Sequence, residues 1–225
     1  MSVAEFPTDW SSALILVAHP DDPEYGMAAA VARWTSEGKN VSYALATSGE
    51  AGIEGMPPEK AGPLREEEQR ASAAVVGVDH VEFWGFPDSE VFNTPELRAK
   101  VAETVERLAP DLVVATYGGP EWGPGFPNQR DHMEFAAAVV DAYDALTDPP
   151  RALFVNGPGS THAVDVDGFV DQAVTSLCQH KVYLEVLDPE TPVVDQARAV
   201  VSMGTGPIDG FPAAHAAGFT QVRSA

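Results

Sequence analysis

One imidazole and three carboxylates fall within the six residues His19-Pro20-Asp21-Asp22-Pro23-Glu24. Residues of these types can hold a divalent metal, and a spare carboxylate beside it can carry a proton. A second imidazole, His132, stands far along the chain next to Asp131. His19, Asp22 and His132 make two imidazoles and one carboxylate, the donor set of a catalytic zinc site with positions left open for water. The same set suits ferrous iron. Asp21 has no metal duty of its own, so it is free to take a proton from metal-bound water, whose pKa the metal lowers towards ~7. Plainer roles stand beside these. Asp22 before Pro23 can be the N-cap of the next helix, and Asp21 a solvated turn residue. His19 can bond to backbone in its turn, and His132 can be a neutral histidine bonded to Asp131.

The elements that must position these groups can be read from the apolar pattern. Ala13–Ala18 is a continuous apolar run, the mark of a strand buried on both faces, and it delivers His19 at its carboxyl end. Helical spacing follows over Glu24–Glu37, with Gly38 as C-cap. Strands are predicted at Val41–Ala46, Val81–Trp84, Asp111–Tyr117 and Ala152–Val155. Between them lie helices at Leu64–Val76, from Thr94 (N-cap) and Pro95 to Leu108, and at Met133–Leu146. Two loops rich in Gly and Pro, Ile53–Pro63 and Gly118–Asn128, interrupt the pattern, and the second carries Trp122 and Phe126. Loops of this length after sheet strands are often lids over a site. A long helix over Val164–Leu187, a helix at Val193–Ser202 and a strand at Phe219–Val222 complete the reading.

Strands alternating with helices give right-handed βαβ units. The expected fold is therefore α/β: one Rossmann-like, doubly wound domain over residues 1–225, its mostly parallel sheet covered by helices on both faces. In such a sheet the loops after the first and fourth of these strands are neighbours across the switch point of strand order, where ligands bind. His19 and His132 would meet there.

The chain has 225 residues, 44% of them hydrophobic and 21% charged, enough for a substantial core. Its net charge of −21 argues against a phosphate backbone or an anionic membrane as partner. Cys178 is the only cysteine, which excludes an intrachain disulfide and a thiolate cluster. No membrane-length apolar run and no secretory pattern appear, so a cytoplasmic protein is expected. A nucleotide-binding reading lacks its glycine-rich fingerprint.

The motifs invite a family comparison. Ala18-His19-Pro20-Asp21-Asp22-Pro23-Glu24 resembles the AHPDD-x-E signature of the LmbE/PIG-L-type zinc-dependent de-N-acetylases. Thr47-Ser48-Gly49-Glu50-Ala51-Gly52 resembles that family's T-x-G-E-x-G turn, and Arg65-Glu66-Glu67-Glu68 its R-x-x-E helix start. Gly85-Phe86-Pro87-Asp88, Asp131-His132 and His162-Ala163-Val164-Asp165-Val166 resemble later segments. The resemblance implies His19, Asp22 and His132 as ligands of Zn2+ (or Fe2+), with Asp21 as base. It further implies Arg65 and Asp88 as substrate contacts, and Asp131 as the group that orients His132. One departure matters: where the family motif begins with His, this chain has Gln129, which can donate a hydrogen bond to an oxyanion but cannot shuttle a proton. His215 or Tyr117 are candidates to help.

The expectation is thus a metal-dependent N-deacetylase acting on a small N-acetylglucosamine-type sugar or conjugate, with relatives that often form homo-oligomers. The alternative is a non-catalytic, metal-containing sugar-binding protein on the same fold. Of the other groups, His80 reads as a surface residue, His180 as packing within the long helix, and His162 as a candidate at the sheet rim. Glu24 reads as a first-turn helix residue, and Cys178 as a small core residue.

Overall fold

The computed structural model describes residues 3–225. In chain order the elements are β1 (Ala4–Glu5), β2 (Ser12–Val17), α1 (Ala28–Ser36), β3 (Asn40–Leu45), α2 (Pro58–Val75), β4 (His80–Phe83), α3 (Pro95–Leu108) and β5 (Leu112–Thr116). There follow β6 (Glu121–Gly123), β7 (Phe126–Pro127), α4 (Arg130–Ala145), β8 (Ala152–Asn156), β9 (His162–Asp165), α5 (Val170–Leu177), α6 (Lys181–Leu187), α7 (Val193–Gly204) and β10 (Ala216–Ser224).

Eight strands form one sheet in the order β1-β9-β10-β8-β5-β2-β3-β4, and β6 pairs with β7 in a separate small hairpin. All pairings in the large sheet are parallel except those of β10, which runs antiparallel to β8 and β9. This is the expected α/β, doubly wound and mostly parallel sheet. From β2 the chain moves one way to β3 and β4, and it returns to the other side of β2 for β5 and β8. The strand order therefore reverses between β2 and β5, where this class of sheet opens a ligand crevice.

Alternation along β2 explains its unbroken apolar run. Ala13, Ile15 and Val17 face one core with residues of α1, α5 and α7, while Leu14, Leu16 and Ala18 face another with residues of α3 and α4. Both faces are covered, so neither register tolerates a polar residue until the strand ends.

Several boundaries differ from the sequence reading, each for a physical reason. The first helix begins at Ala28 rather than Glu24, because Glu24 and Tyr25 donate their amides to the Asp21 carbonyl in a tight turn. Residues 58–63 are helical, not loop: Pro58 opens α2, a position that suits proline, and Pro63 is carried inside. The long helix over Val164–Leu187 is replaced by β9, α5 and α6. Val164 pairs with Ala217 of β10, so sheet pairing overrides helical spacing there, and Gly168 turns with φ +88°. The strand β1 and the hairpin β6–β7 have too few residues to leave a periodic signal. Among the described residues, no helix is long and apolar enough to cross a membrane.

Candidate active site

The chain leaves β2 in a turn organised by Asp22. Its Oδ2 accepts the backbone amides of Ala18 at 3.0 Å and His19 at 2.9 Å. Asp22 is therefore not an N-cap: α1 starts six residues later, with Met27 before it and no side-chain cap. The other oxygen, Oδ1, lies 3.0 Å from Nε2 of His132, in the first turn of α4. Nδ1 of His19 lies 3.3 Å from the same Nε2. Donor atoms of His19, Asp22 and His132 all fall within 4.8 Å of one another.

The partners on the far side of each ring fix its tautomer. Asn128 gives both amide hydrogens to carbonyls, Tyr117 at 2.9 Å and Gly119 at 2.8 Å, so its Oδ1 is an acceptor. That oxygen takes the Nδ1 hydrogen of His132 at 2.9 Å, which leaves a lone pair on Nε2. His19 turns Nε2 towards carboxylates of Asp88 at 3.2 Å and Asp131 at 3.4 Å, so its lone pair is on Nδ1. With both rings neutral, two lone pairs and a carboxylate oxygen thus converge on one space, where these three residues could hold a cation. The donor set fits zinc or ferrous iron. Asp88 and Asp131 form a second acidic group with His19, and they are the carboxylate partners that metal-bound imidazoles usually have.

The electrostatics agree with this arrangement. Burial opposes charge on His19, but the carboxylates of Asp131, Asp88 and Asp22 outweigh it and push its pKa up to about 10. His132 is raised for the same reason, burial being overcome chiefly by Asp22. Asp22 is buried, which alone would raise it, yet His132 and His19 hold it down at about 2. In protein without a metal, protons supply the positive charge, and a metal ion bound there would displace them.

Asp21 is different. It is 6% exposed and has φ +78°, a left-handed conformation uncommon outside glycine. Burial pushes its carboxyl up to about 6, against the opposing pull of Arg65, whose Nη2 is 3.4 Å from Oδ1. A carboxyl in that range is suited to exchanging protons near neutral pH.

The structure distributes the remaining expected residues unevenly. Arg65 is 3% exposed and faces protein, donating to the carbonyls of Gly49 at 3.0 Å and Pro20 at 2.8 Å. Its guanidinium lies over the ring of Tyr183 at 4.2 Å. The glycines of the turn after β3 make room for it: a Cβ at Gly49 would lie 2.2 Å from Arg65 Nη1, and one at Gly52 2.4 Å. Asp88 bonds to His19 and accepts the Ala51 amide at 2.9 Å. Gln129 is exposed at the N-cap of α4 and makes no side-chain cap bond. Asp131 contacts His19, so the expected orienter of His132 is corrected to Asn128. His215 is exposed and bonds to Asp167, and His80 to Glu82. His162 packs edge-on against Phe154 and bonds to Thr161. Trp122, on the hairpin, stands edge-on to His132 with centroids 6.2 Å apart and also packs on Tyr117 at 5.1 Å.

The sequence pattern of the family described as "PIG-L: GlcNAc-PI de-N-acetylase" matches residues 14–143, a span that holds His19, Asp22 and His132. The chain belongs to this family. A PIG-L-related protein of Bacillus anthracis, "Probable N-acetyl-alpha-D-glucosaminyl L-malate deacetylase 2", is 31% identical over 148 residues, covering 63% of this chain and 63% of that one. The N,N'-diacetylchitobiose deacetylase of Pyrococcus horikoshii superimposes with a TM-score of 0.77 at 17% identity, over 95% of this chain and 84% of that one. The 4-carboxy-2-hydroxymuconate hydratase GalB of Pseudomonas putida does so with a TM-score of 0.71 at 17% identity, over 96% and 97%. These two solved structures, a deacetylase and a hydratase, share the fold, so the fold does not decide the reaction. The PIG-L span ends before β8, yet later residues reach the site: Tyr183 of α6 covers Arg65.

Proposed function

We propose that this PIG-L family protein is a metal-dependent hydrolase that removes the acetyl group from an N-acetylglucosamine-type amino sugar or conjugate. The observation that carries the reading is the convergence of His19 Nδ1, His132 Nε2 and Asp22 Oδ1 beside a buried Asp21 carboxyl held near pKa 6. The likeness to the B. anthracis N-acetyl-alpha-D-glucosaminyl L-malate deacetylase supports the substrate class.

His19, Asp22 and His132 would hold zinc or ferrous iron, which when bound acidifies water and polarises a carbonyl. The chain's own residues do the rest. Asp21 accepts a proton from the attacking water as the carbon–oxygen bond forms. Arg65 holds the Asp21 carboxylate and the turn that presents it. Gln129 cannot act as a general acid, so the hydrogen that leaves with the amine as the carbon–nitrogen bond breaks is the one Asp21 took. Trp122 walls the side of the site next to His132.

The test is release of free amine from a panel of N-acetylated amino sugars. Amine release that stops on chelation and returns with zinc or ferrous iron supports the reading, and no release from any member with metal present overturns it. The exposed Gln129 favours one other reading, a metal-containing sugar binder without turnover. That protein would show a ligand-dependent rise in Tm and release no amine.

A further inference from the structure

Behind the Asp21 turn runs a chain of buried polar side chains that the reaction as described does not use. The Asp21 amide donates to Oε1 of Gln69, in α2, at 2.7 Å. The Gln69 amide nitrogen donates to both carboxylate oxygens of Glu24, at 3.2 and 3.3 Å. Glu24 Oε2 lies 3.3 Å from Nε2 of His180, between α5 and α6. Gln69 and His180 are 0% exposed and Glu24 is 1% exposed. A carboxylate can only accept from the Gln69 amide, so Glu24 dictates which end of that amide faces Asp21. Asp21 needs such support, because φ +78° carries a backbone cost for a residue other than glycine. Arg65 grips Asp21 from the other side, and Tyr183, three residues beyond His180, lies over Arg65.

From this geometry we infer that Gln69, Glu24 and His180 are positioning residues for Asp21, holding its backbone in the left-handed conformation that aims its carboxyl. None of them touches substrate. The inference assigns a role to the C-terminal helices: the connection between α5 and α6, outside the PIG-L span of residues 14–143, closes the chain on the base. It rests on the proposed hydrolase reading for its kinetic consequence, but not for its structural one.

The experiment compares zinc-loaded wild type with Gln69→Met, His180→Ala and His180→Gln. Three quantities are read: amine release from N-acetylglucosamine and diacetylchitobiose, bound metal, and hydrogen exchange of the Asp21 amide. Gln69→Met is expected to keep its metal, lower kcat about tenfold or more with KM within about twofold, and speed Asp21 exchange at least about tenfold. His180→Ala shifts both readouts the same way. His180→Gln, which places an amide nitrogen near the position of Nε2, restores them. Unchanged exchange and kcat in the variants overturn the inference, as does a kcat loss that His180→Gln does not recover. If Gln69→Met fails to fold, the His180 pair decides alone. A wild type without amine release defeats the hydrolase reading, while Asp21 exchange still decides the positioning chain.

Discussion

Nδ1 of His19 lies 3.3 Å from Nε2 of His132, although 113 positions separate the two residues in the chain. Each ring is turned by an acceptor behind it, so the lone pairs of the neutral rings fall on the nitrogens that face each other. The fold achieves this by placing one histidine after β2 and the other at the start of α4, on either side of the strand-order reversal.

Asn128 is the group that sets the His132 tautomer, through the 2.9 Å bond from Nδ1. Asn128→Ala is expected to weaken zinc affinity about 10–100-fold, the usual cost of losing such a partner. Competition against a chromophoric chelator measures it. Unchanged affinity would mean that the ring is held by something else.

Gly49 makes room for the guanidinium that steadies Asp21. Gly49→Ala meets Arg65 Nη1 at 2.2 Å and must also adopt φ +63°. A loss of about 1–3 kcal/mol is expected, read as a Tm lower by about 2–4 °C for each kcal/mol. A melting curve that matches wild type would show that Arg65 moves aside freely.

The raised pKa of Asp21 has a stability consequence in the metal-free protein. Its folded value is about 6 against the ordinary 3.8. Between those values the folded state keeps a proton that the unfolded chain releases. The stability from this group is therefore complete below about pH 4 and is lost as pH rises through about 6. Asp21→Asn never ionises, and asparagine tolerates the left-handed backbone. The metal-free variant should be more stable than wild type at about pH 7.5, by up to roughly 2–3 kcal/mol, and the gap should close at about pH 4. Denaturant titration at the two pH values checks the sign, and a variant less stable at both contradicts it.

Much of this was legible in the sequence, for reasons visible in particular residues. The buried run of β2 ends where His19 and Asp22 begin, so the strand pointed to the turn that carries them. Thr94 also caps α3 as expected, its side chain accepting from the Leu97 amide. What stayed hidden depends on partners distant in sequence. Glu24 looked like a first-turn helix residue, yet it is buried against Gln69 and His180, which arrive from α2 and from the connection before α6. His180 sat in an apparent continuous helix because the pairing of Val164 with β10 leaves no local trace. Asp131 seemed the natural partner of its neighbour His132, but adjacent helical residues point in different directions, and it reaches His19 instead.

The most direct test of the account is acetate released per metal-loaded chain, wild type against Asp21→Asn, with bound zinc or iron counted in both. Retained metal with turnover lowered about 100-fold or more is the predicted result, as for loss of a general base. Equal turnover in the two proteins, or acetate release that survives removal of the metal, would contradict it.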